Sequence, residues 1–174
     1  MILSRISDSP KLQKGTKLAR GKIVLATGAF DLLHLGHVRF LEASKRKGGP
    51  GAKLIVVVAR DKTVLNRKGR SPILPEDQRR QLVGSLRVVD KAILGHMHLD
   101  LLGILREVRP DIISVGYDQK QIKASVEKLL RVERLPIRVV QIPKFGPSGL
   151  NSSTGIKQRV AKRWATRTKP RRSP

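Results

Sequence analysis

Five short runs of apolar, mostly β-branched residues recur along the chain, with longer charged or amphipathic stretches between them. Runs of this kind are typical of strands covered on both faces, and the stretches between them are long enough for helices. Strands that alternate with helices form a parallel sheet with helices packed on both sides. We therefore predict an α/β protein with a doubly wound, five-stranded parallel sheet. The predicted strands are residues 23–26, 54–59, 92–94, 112–115 and 137–142.

The length of 174 residues fits one domain with a sizeable core. We place this domain at residues 22–166, between a basic N-terminal tail at residues 1–21 and a basic C-terminal tail at residues 167–174. Both tails are polar, charged and interrupted by proline, a composition that predicts disorder. No apolar run approaches the roughly 18 residues of a membrane-spanning helix, and the N-terminus lacks a secretory signal. The sequence thus predicts a cytoplasmic protein that does not associate with membranes.

The chain carries 37 lysines and arginines against 13 acidic residues, which gives a net charge of +24. More than half of this excess lies in residues 1–22 and 157–174. Such a surplus attracts polyanions, so we expect association with RNA or DNA through the release of counterions. Aromatic residues do not interleave the basic clusters as a base-stacking surface requires. We therefore interpret nucleic-acid association as incidental to the function.

The chain contains no cysteine. This absence excludes disulfides, thiolate zinc sites and thiol nucleophiles.

The segment from Gly28 to His37, with the sequence GAFDLLHLGH, joins the first predicted strand to a helix that begins near Leu35. The first turn of a helix offers unpaired backbone N–H groups and a partial positive charge to an anion. His34 and His37 lie on one face of that turn. Gly36 between them removes the side chain that would keep a phosphate away from the backbone. The segment therefore predicts a phosphate site, the alternatives being an ordinary helix start and a metal site without an evident third ligand.

This segment resembles the Gly-Thr-Phe-Asp-x-x-His-x-Gly-His signature of the cytidylyltransferase-like nucleotidyltransferases. Ala29 stands where the signature has threonine, a loss of one neutral contact worth about 1 kcal/mol. Later segments resemble the archaeal FAD synthase (FMN adenylyltransferase) branch of that family, in order and spacing, and a last one resembles its closing Ile-Ser-Thr-Thr-x-Ile element. Together they imply a Rossmann-like nucleotidyltransferase (HUP-type) fold over roughly residues 22–160. The matching segments are residues 60–64, 75–79, 89–95, 116–119 and 151–156.

The resemblance implies that a phosphate oxygen of an acceptor attacks the α-phosphorus of a nucleoside triphosphate directly and releases pyrophosphate. In the FAD synthase branch the donor is ATP and the acceptor is FMN. Relatives that use glycerol phosphate carry an arginine shortly before the closing element, whereas this chain has residues 145–149, FGPSG, there. Two alternatives stay open. One is a cytidylyl- or adenylyltransferase acting on glycerol 3-phosphate, a sugar phosphate or phosphopantetheine, and the other is a non-enzymatic, RNA-associated protein of the same fold.

The resemblance also implies roles for individual residues. His34 and His37 would donate hydrogen bonds to the α-phosphate, and Arg79 would contact the leaving pyrophosphate, which makes these three the catalytic candidates. Asp118 would contact the ribose or the base. The expected nucleotide-binding residues are Ala29, Phe30, His34, Leu35, Gly36, His37, Asp118, Ser153 and Thr154.

Three basic residues after the second strand, Arg67, Lys68 and Arg70, are candidates for binding substrate phosphates, or are ordinary solvated cations. A divalent cation, expected to be Mg2+, would bridge phosphates mainly through water and phosphate oxygens, so we predict no metal ligands on the protein. A last helix is predicted from Ile156 to about Thr166, capped by Ser152 or Ser153. Related enzymes are often dimers, and the sequence leaves a homodimer open.

Overall fold

The computed structural model describes residues 21–97, 100–146 and 152–167, with the side chains of residues 166 and 167 left out. The tails that the sequence predicts lie almost entirely outside the described residues. Asn151, part of the closing element, also lies outside them.

The described residues contain five parallel strands in a single sheet with the order β3-β2-β1-β4-β5. The strands are β1 (Ile23–Gly28), β2 (Lys53–Val58), β3 (Lys91–Leu94), β4 (Ile112–Gly116) and β5 (Arg138–Ile142). The chain builds outward from β1 to β3 and then returns to add β4 on the other side of β1. The predicted doubly wound parallel sheet is confirmed, with strand ends shifted by one or two residues.

Helices cover both faces of the sheet because successive residues of a buried strand face opposite sides. Val24 and Val56 belong to one buried cluster, which also holds Leu41 and Val83 from two helices. Leu25 and Ile113 belong to the other cluster, with residues of two further helices. Each fully buried Val or Leu stabilises the fold by about 1.5–3 kcal/mol. The described helices are α1 (Leu35–Arg46), α2 (Asp61–Lys68), α3 (Glu76–Gly84), α4 (Leu101–Val108), α5 (Lys120–Val132) and α6 (Ser153–Arg167).

The predicted last helix, α6, begins at Ser153, three residues before the expected Ile156. The hydroxyl of Ser152 accepts a hydrogen bond from the backbone N–H of Gly155 at 3.0 Å, which is the expected capping contact. In the part of the chain that the structure describes, no helix is both long and apolar enough to cross a membrane.

The strand order reverses at β1, which pairs with β2 on one side and β4 on the other. At such a switch point the loops after neighbouring strands diverge and leave a crevice at the carboxyl edge of the sheet. The loops after β1, β4 and β5 all reach this edge. The fold thus brings the sequence motifs of three distant segments to one place.

Candidate active site

A cleft of about 850 Å³ opens at this edge of the sheet. Sites for small molecules usually enclose about 300–1,000 Å³, so the cleft is large enough for a nucleotide and part of a second substrate. Its walls come from the β1–α1 loop, the end of α2, the β4–α5 loop and the start of α6. It brings together the predicted residues Ala29, Phe30, His34, Gly36, His37, Arg67, Lys68, Arg70, Asp118, Ser153 and Thr154.

The β1–α1 loop takes an unusual backbone path. Phe30 and Leu32 have positive φ angles of 51° and 48°, in the left-handed region that side chains other than glycine disfavour. The ring of Phe30 folds back over Gly28, where an added Cβ would lie 2.8 Å from the ring carbon Cε2. Phe30 is thereby buried. Because Gly28 has no side chain, it leaves room for the ring of Phe30, which anchors the loop.

The imidazole rings of His34 and His37 stack on each other, with centroids 3.8 Å apart and planes 23° apart. His34 is the N-cap of α1, and its carbonyl oxygen accepts a hydrogen bond from the backbone N–H of His37 at 2.9 Å. The ring of Phe30 packs against His37 at a centroid distance of 5.3 Å. The helix start therefore fixes both imidazoles at the floor of the cleft.

Both histidines are neutral near pH 7. Burial lowers the pKa of His37 to about 3, and the nearby His34 and Lys68 contribute in the same direction. Burial also lowers the pKa of His34. Among the described residues, neither buried Nδ1 atom has a hydrogen-bond partner. Unpaired buried polar atoms of this kind call for a partner, which a bound ligand can supply.

Asp31 connects its own β1–α1 loop to the loop before α3 and to the start of α6. Its carboxylate accepts hydrogen bonds from the backbone N–H groups of Ile73 (3.0 Å) and Leu74 (3.1 Å) and from the ammonium group of Lys157 (2.7 Å). The hydroxyl of Ser153 donates to the backbone carbonyl of Asp31. Burial alone raises the pKa of Asp31. Lys157 and the two N–H groups together lower it by more than burial raises it, so the pKa lies below its ordinary value.

Sequence reasoning missed Asp31 and Lys157 as site residues. Asp31 lies inside the segment from Gly28 to His37 and matches the aspartate of the family signature, so the signature could have identified it. Lys157 lies among many basic residues, and nothing in its neighbourhood distinguishes it.

Basic side chains line the cleft from several directions. Burial lowers the pKa of Lys68 and the guanidinium of Arg67 lowers it further, while Asp118 acts in the opposite direction. Arg70 donates a hydrogen bond to the hydroxyl of Thr154 at 3.3 Å. Converging cations of this kind concentrate positive potential and favour a polyanion. The lysines and arginines that line the cleft are Arg67, Lys68, Arg70, Lys120, Lys144 and Lys157.

The β4–α5 loop brings the carboxylate of Asp118 to the cleft. Asp118 approaches Gly116 so closely that a Cβ there would lie 3.1 Å from its carboxylate oxygen Oδ1. Gln141 supports the loop by donating a hydrogen bond to the carbonyl of Tyr117 at 3.1 Å. The ammonium group of Lys144 lies 5.8 Å from the centroid of the Tyr117 ring. A carboxylate beside an aromatic ring suits the hydroxyls and the base of a nucleoside.

Two predicted site residues lie away from the cleft. Leu35 is 58% exposed and does not belong to the lining. Arg79 lies on the face of α3 that packs toward the sheet, with 0% of its side chain exposed. Its guanidinium donates to the carbonyl of Ala29 and to the carboxylate of Asp61 at 2.6 Å. Protein groups surround this guanidinium and Arg79 is not among the residues that line the cleft, so the expected contact between Arg79 and pyrophosphate gains no support from the structure.

Residues 25–159 of the chain match the family described as Cytidylyltransferase-like. A protein named FAD synthase from Thermoplasma volcanium is 43% identical over 137 residues, which span 79% of this chain and 92% of the relative. A FAD synthase from Aciduliprofundum boonei is 46% identical over 133 residues, 76% of this chain and 86% of that protein. A FAD synthase from Methanopyrus kandleri is 43% identical over 144 residues, which span 83% of this chain and 95% of that protein.

The fold is also similar to a solved crystal structure, that of a lipopolysaccharide core biosynthesis protein from Thermoplasma volcanium GSS1. The TM-score is 0.65 at 43% sequence identity, covering 72% of this chain and 98% of the other. The family match at residues 25–159 contains most of β1, all of β2 to β5, the stacked histidines and the start of α6. The chain belongs to the cytidylyltransferase-like family.

Proposed function

We propose that the protein is an FMN adenylyltransferase, which transfers AMP from ATP to FMN and yields FAD and pyrophosphate. The observation that carries the proposal is the pair of stacked, neutral histidines at the start of α1. Both histidines line a cleft that is also lined by cations. Relatives that carry the name FAD synthase, at 43–46% identity over most of this chain, support the choice of substrates.

The proposed reaction is a direct displacement. A phosphate oxygen of FMN forms a bond to the α-phosphorus of ATP. The bond between the α-phosphorus and the oxygen that bridges the α- and β-phosphates breaks, and pyrophosphate leaves with the electron pair of that bond. Two anions must approach, at a cost of about 4 kcal/mol per pair of unit charges 4 Å apart at an effective dielectric constant near 20. Positioning and positive charge therefore contribute more than a strong base.

His34 and His37 are proposed to donate hydrogen bonds to the α-phosphate. A neutral imidazole has one N–H donor, so the pair offers two donors while adding no charge that would repel the surrounding lysines. The N-terminus of α1 adds backbone N–H groups and its partial positive charge. These interactions strengthen as charge builds on the α-phosphate oxygens in the transition state.

The start of α6 is proposed to hold the β- and γ-phosphates. Ser153 and Thr154 lie in its first turn, and Lys157 lies one turn further along the helix. A 15-residue helix provides a developed dipole for an anion at its N-terminus. Arg67 and Lys68, at the end of α2, are proposed to bind the phosphate of FMN.

A divalent cation, which we propose to be Mg2+, would further neutralise the phosphates. Within the described ranges, no group of three or more histidine, aspartate or glutamate side chains is arranged to hold a metal ion. The cation would therefore bind mainly to phosphate oxygens and water, which is how Mg2+ commonly accompanies nucleotides.

The proposal also includes a cytoplasmic location, a homodimer and an incidental attraction of nucleic acids to the basic ends. Support for the attraction comes from the net charge of +24. Light scattering of the purified protein separates a monomer from a homodimer.

Product analysis tests the function directly. The purified protein is incubated with Mg2+, ATP and FMN, beside a parallel reaction with CTP and glycerol 3-phosphate, and the products are separated by chromatography. FAD and pyrophosphate from the first reaction support the proposal. A product from the second reaction alone would keep the reaction type and replace the substrates.

A further inference from the structure

Arg79 is the largest fully buried side chain among the described residues. An arginine keeps its charge at any accessible pH, so burying it is costly unless neighbouring groups accept its hydrogen bonds. Four protein acceptors surround the guanidinium. They are the carbonyl oxygens of Leu74 (2.9 Å), Ala59 (2.8 Å) and Ala29, and the carboxylate oxygen Oδ1 of Asp61 (2.6 Å).

Three of these acceptors belong to separate backbone segments at the edge of the sheet that carries the cleft. Ala29 directly follows β1, Ala59 directly follows β2, and Leu74 lies two residues before α3. A buried carbonyl without a donor is destabilising, and here one side chain supplies donors to all three. Arg79 thus fixes the relative positions of two strand ends and the loop before α3.

The held carbonyls lie next to the strained part of the β1–α1 loop. Ala29 precedes Phe30, which has a φ of 51° and whose ring packs on His37. Leu74 is held on both sides, because Arg79 binds its carbonyl while the carboxylate of Asp31 accepts from its N–H. Strained backbone of this kind persists only where the surrounding structure fixes it.

We propose that Arg79 is a positioning residue for nucleotidyl transfer. Its guanidinium holds the carbonyl of Ala29 from beneath the cleft and so keeps the β1–α1 loop in the path that stacks His34 on His37, without touching the substrate. The kinetic part of this proposal rests on the proposed function, whereas the structural part does not.

Arg79→Lys is the central variant, because lysine keeps the charge and loses the planar fork that reaches several acceptors at once. We expect kcat to fall by about tenfold or more, since small displacements of reacting groups cost about this much or more. KM for ATP should change less, because the cations that line the cleft stay in place. Asp61→Asn removes the charged partner alone, and we expect a smaller fall of kcat in the same direction.

Leu105→Ala is the control for a loss of stability alone. Leu105 is buried in α4, in the core cluster on the other face of the sheet from Arg79. The variant should lower the melting temperature through its cavity and leave kcat unchanged at temperatures well below melting.

A second readout is independent of the substrates. In the free protein, nuclear magnetic resonance reports the protonation of the His37 ring at about pH 5, below the ordinary histidine pKa. We expect a neutral ring in the wild type and in Leu105→Ala, and a partly protonated ring in Arg79→Lys, because a loosened loop admits water to the imidazole. If the wild type makes no FAD, this measurement still decides the role of Arg79.

The proposal is overturned if Arg79→Lys folds with the wild-type kcat and an unchanged His37 resonance. If Arg79→Lys does not fold, the kcat and the His37 resonance of Asp61→Asn test the proposal instead. Wild-type values for both in Asp61→Asn would equally contradict the proposal.

Discussion

The ammonium group of Lys157 lies 2.7 Å from the carboxylate of Asp31, so the last helix of the domain is paired with the loop after its first strand. The other oxygen of this carboxylate accepts hydrogen bonds from the backbone of Ile73 and Leu74. One buried charge therefore connects the β1–α1 loop, the loop before α3 and the start of α6. We therefore expect the shape of the cleft to depend on this connection.

Asp31→Asn should loosen the cleft, because the amide keeps the shape of the side chain and loses the charge that attracts Lys157. We expect the free energy of unfolding at neutral pH to fall by about 1–3 kcal/mol, as for a lost charged hydrogen bond. KM for the nucleoside triphosphate should rise, because the start of α6 is less firmly held. Urea unfolding measures the first effect, with Asp77→Asn, at a 70% exposed position on α3, as the control.

The pH dependence of this effect has a defined sign. The folded pKa of Asp31 lies below its ordinary value of 3.8, so ionised Asp31 stabilises the fold above that pH. The difference between wild type and Asp31→Asn should shrink as the pH falls below this value and through the folded pKa. A difference in unfolding free energy that stays constant as the pH falls through that range would contradict the ion pair.

The buried histidines should make the fold less stable in mild acid. An unfolded histidine binds a proton near pH 6.5, whereas folded His37, with a pKa of about 3, stays neutral, so the unfolded state gains protons first. Relative to His37→Gln, the wild type should lose up to about 2 kcal/mol of unfolding free energy between pH 6.5 and 5. Urea unfolding across this range measures the difference, and parallel curves for the two proteins would be inconsistent with a buried neutral His37.

His37→Ala should lower kcat by about 10²–10³-fold, the typical effect of removing one donor that acts on transition-state charge. The rate of pyrophosphate release measures this effect, and circular dichroism checks that the variant folds. His96→Ala is the matched control, because His96 lies outside the lining of the cleft and bonds to Asp100 and Glu107. A His37→Ala variant with most of the wild-type rate would remove the histidines from the mechanism.

Lys68→Gln should raise KM for at least one substrate by about tenfold, because one phosphate contact with a charged donor is worth about 1.5–3 kcal/mol. The increase should be smaller at high salt, where the wild-type contact is itself screened. Lys128→Gln removes the same charge from an exposed position on α5 outside the cleft lining. Equal effects of the two substitutions on KM would show that only net charge matters.

Local patterns in the sequence were sufficient to predict the sheet and the place of the cleft. Buried runs of β-branched residues mark strands wherever they occur, and the loop that follows β1 necessarily reaches the carboxyl edge of the sheet. The positions of His34 and His37 follow from their spacing in the first turn of α1. These predictions depend on neighbours within a few residues.

Residues whose environment is created by distant segments could not be assigned in this way. Arg79 resembles any arginine on a polar helix, and its burial appears only when β1, β2 and the loop before α3 meet around it. Lys157 is one of 37 basic residues, and its role depends on a carboxylate at the other end of the domain. Basic residues are so frequent in this chain that their presence alone distinguishes none of them.

The most direct test of the central claim follows the phosphates of ATP. The protein is incubated with FMN and ATP labelled either at the α- or at the γ-phosphate, and the products are separated. Transfer of AMP predicts that the α label enters FAD and the γ label leaves in pyrophosphate. Absence of label from FAD, or transfer of the γ label to an acceptor, would contradict the proposed nucleotidyl transfer to FMN.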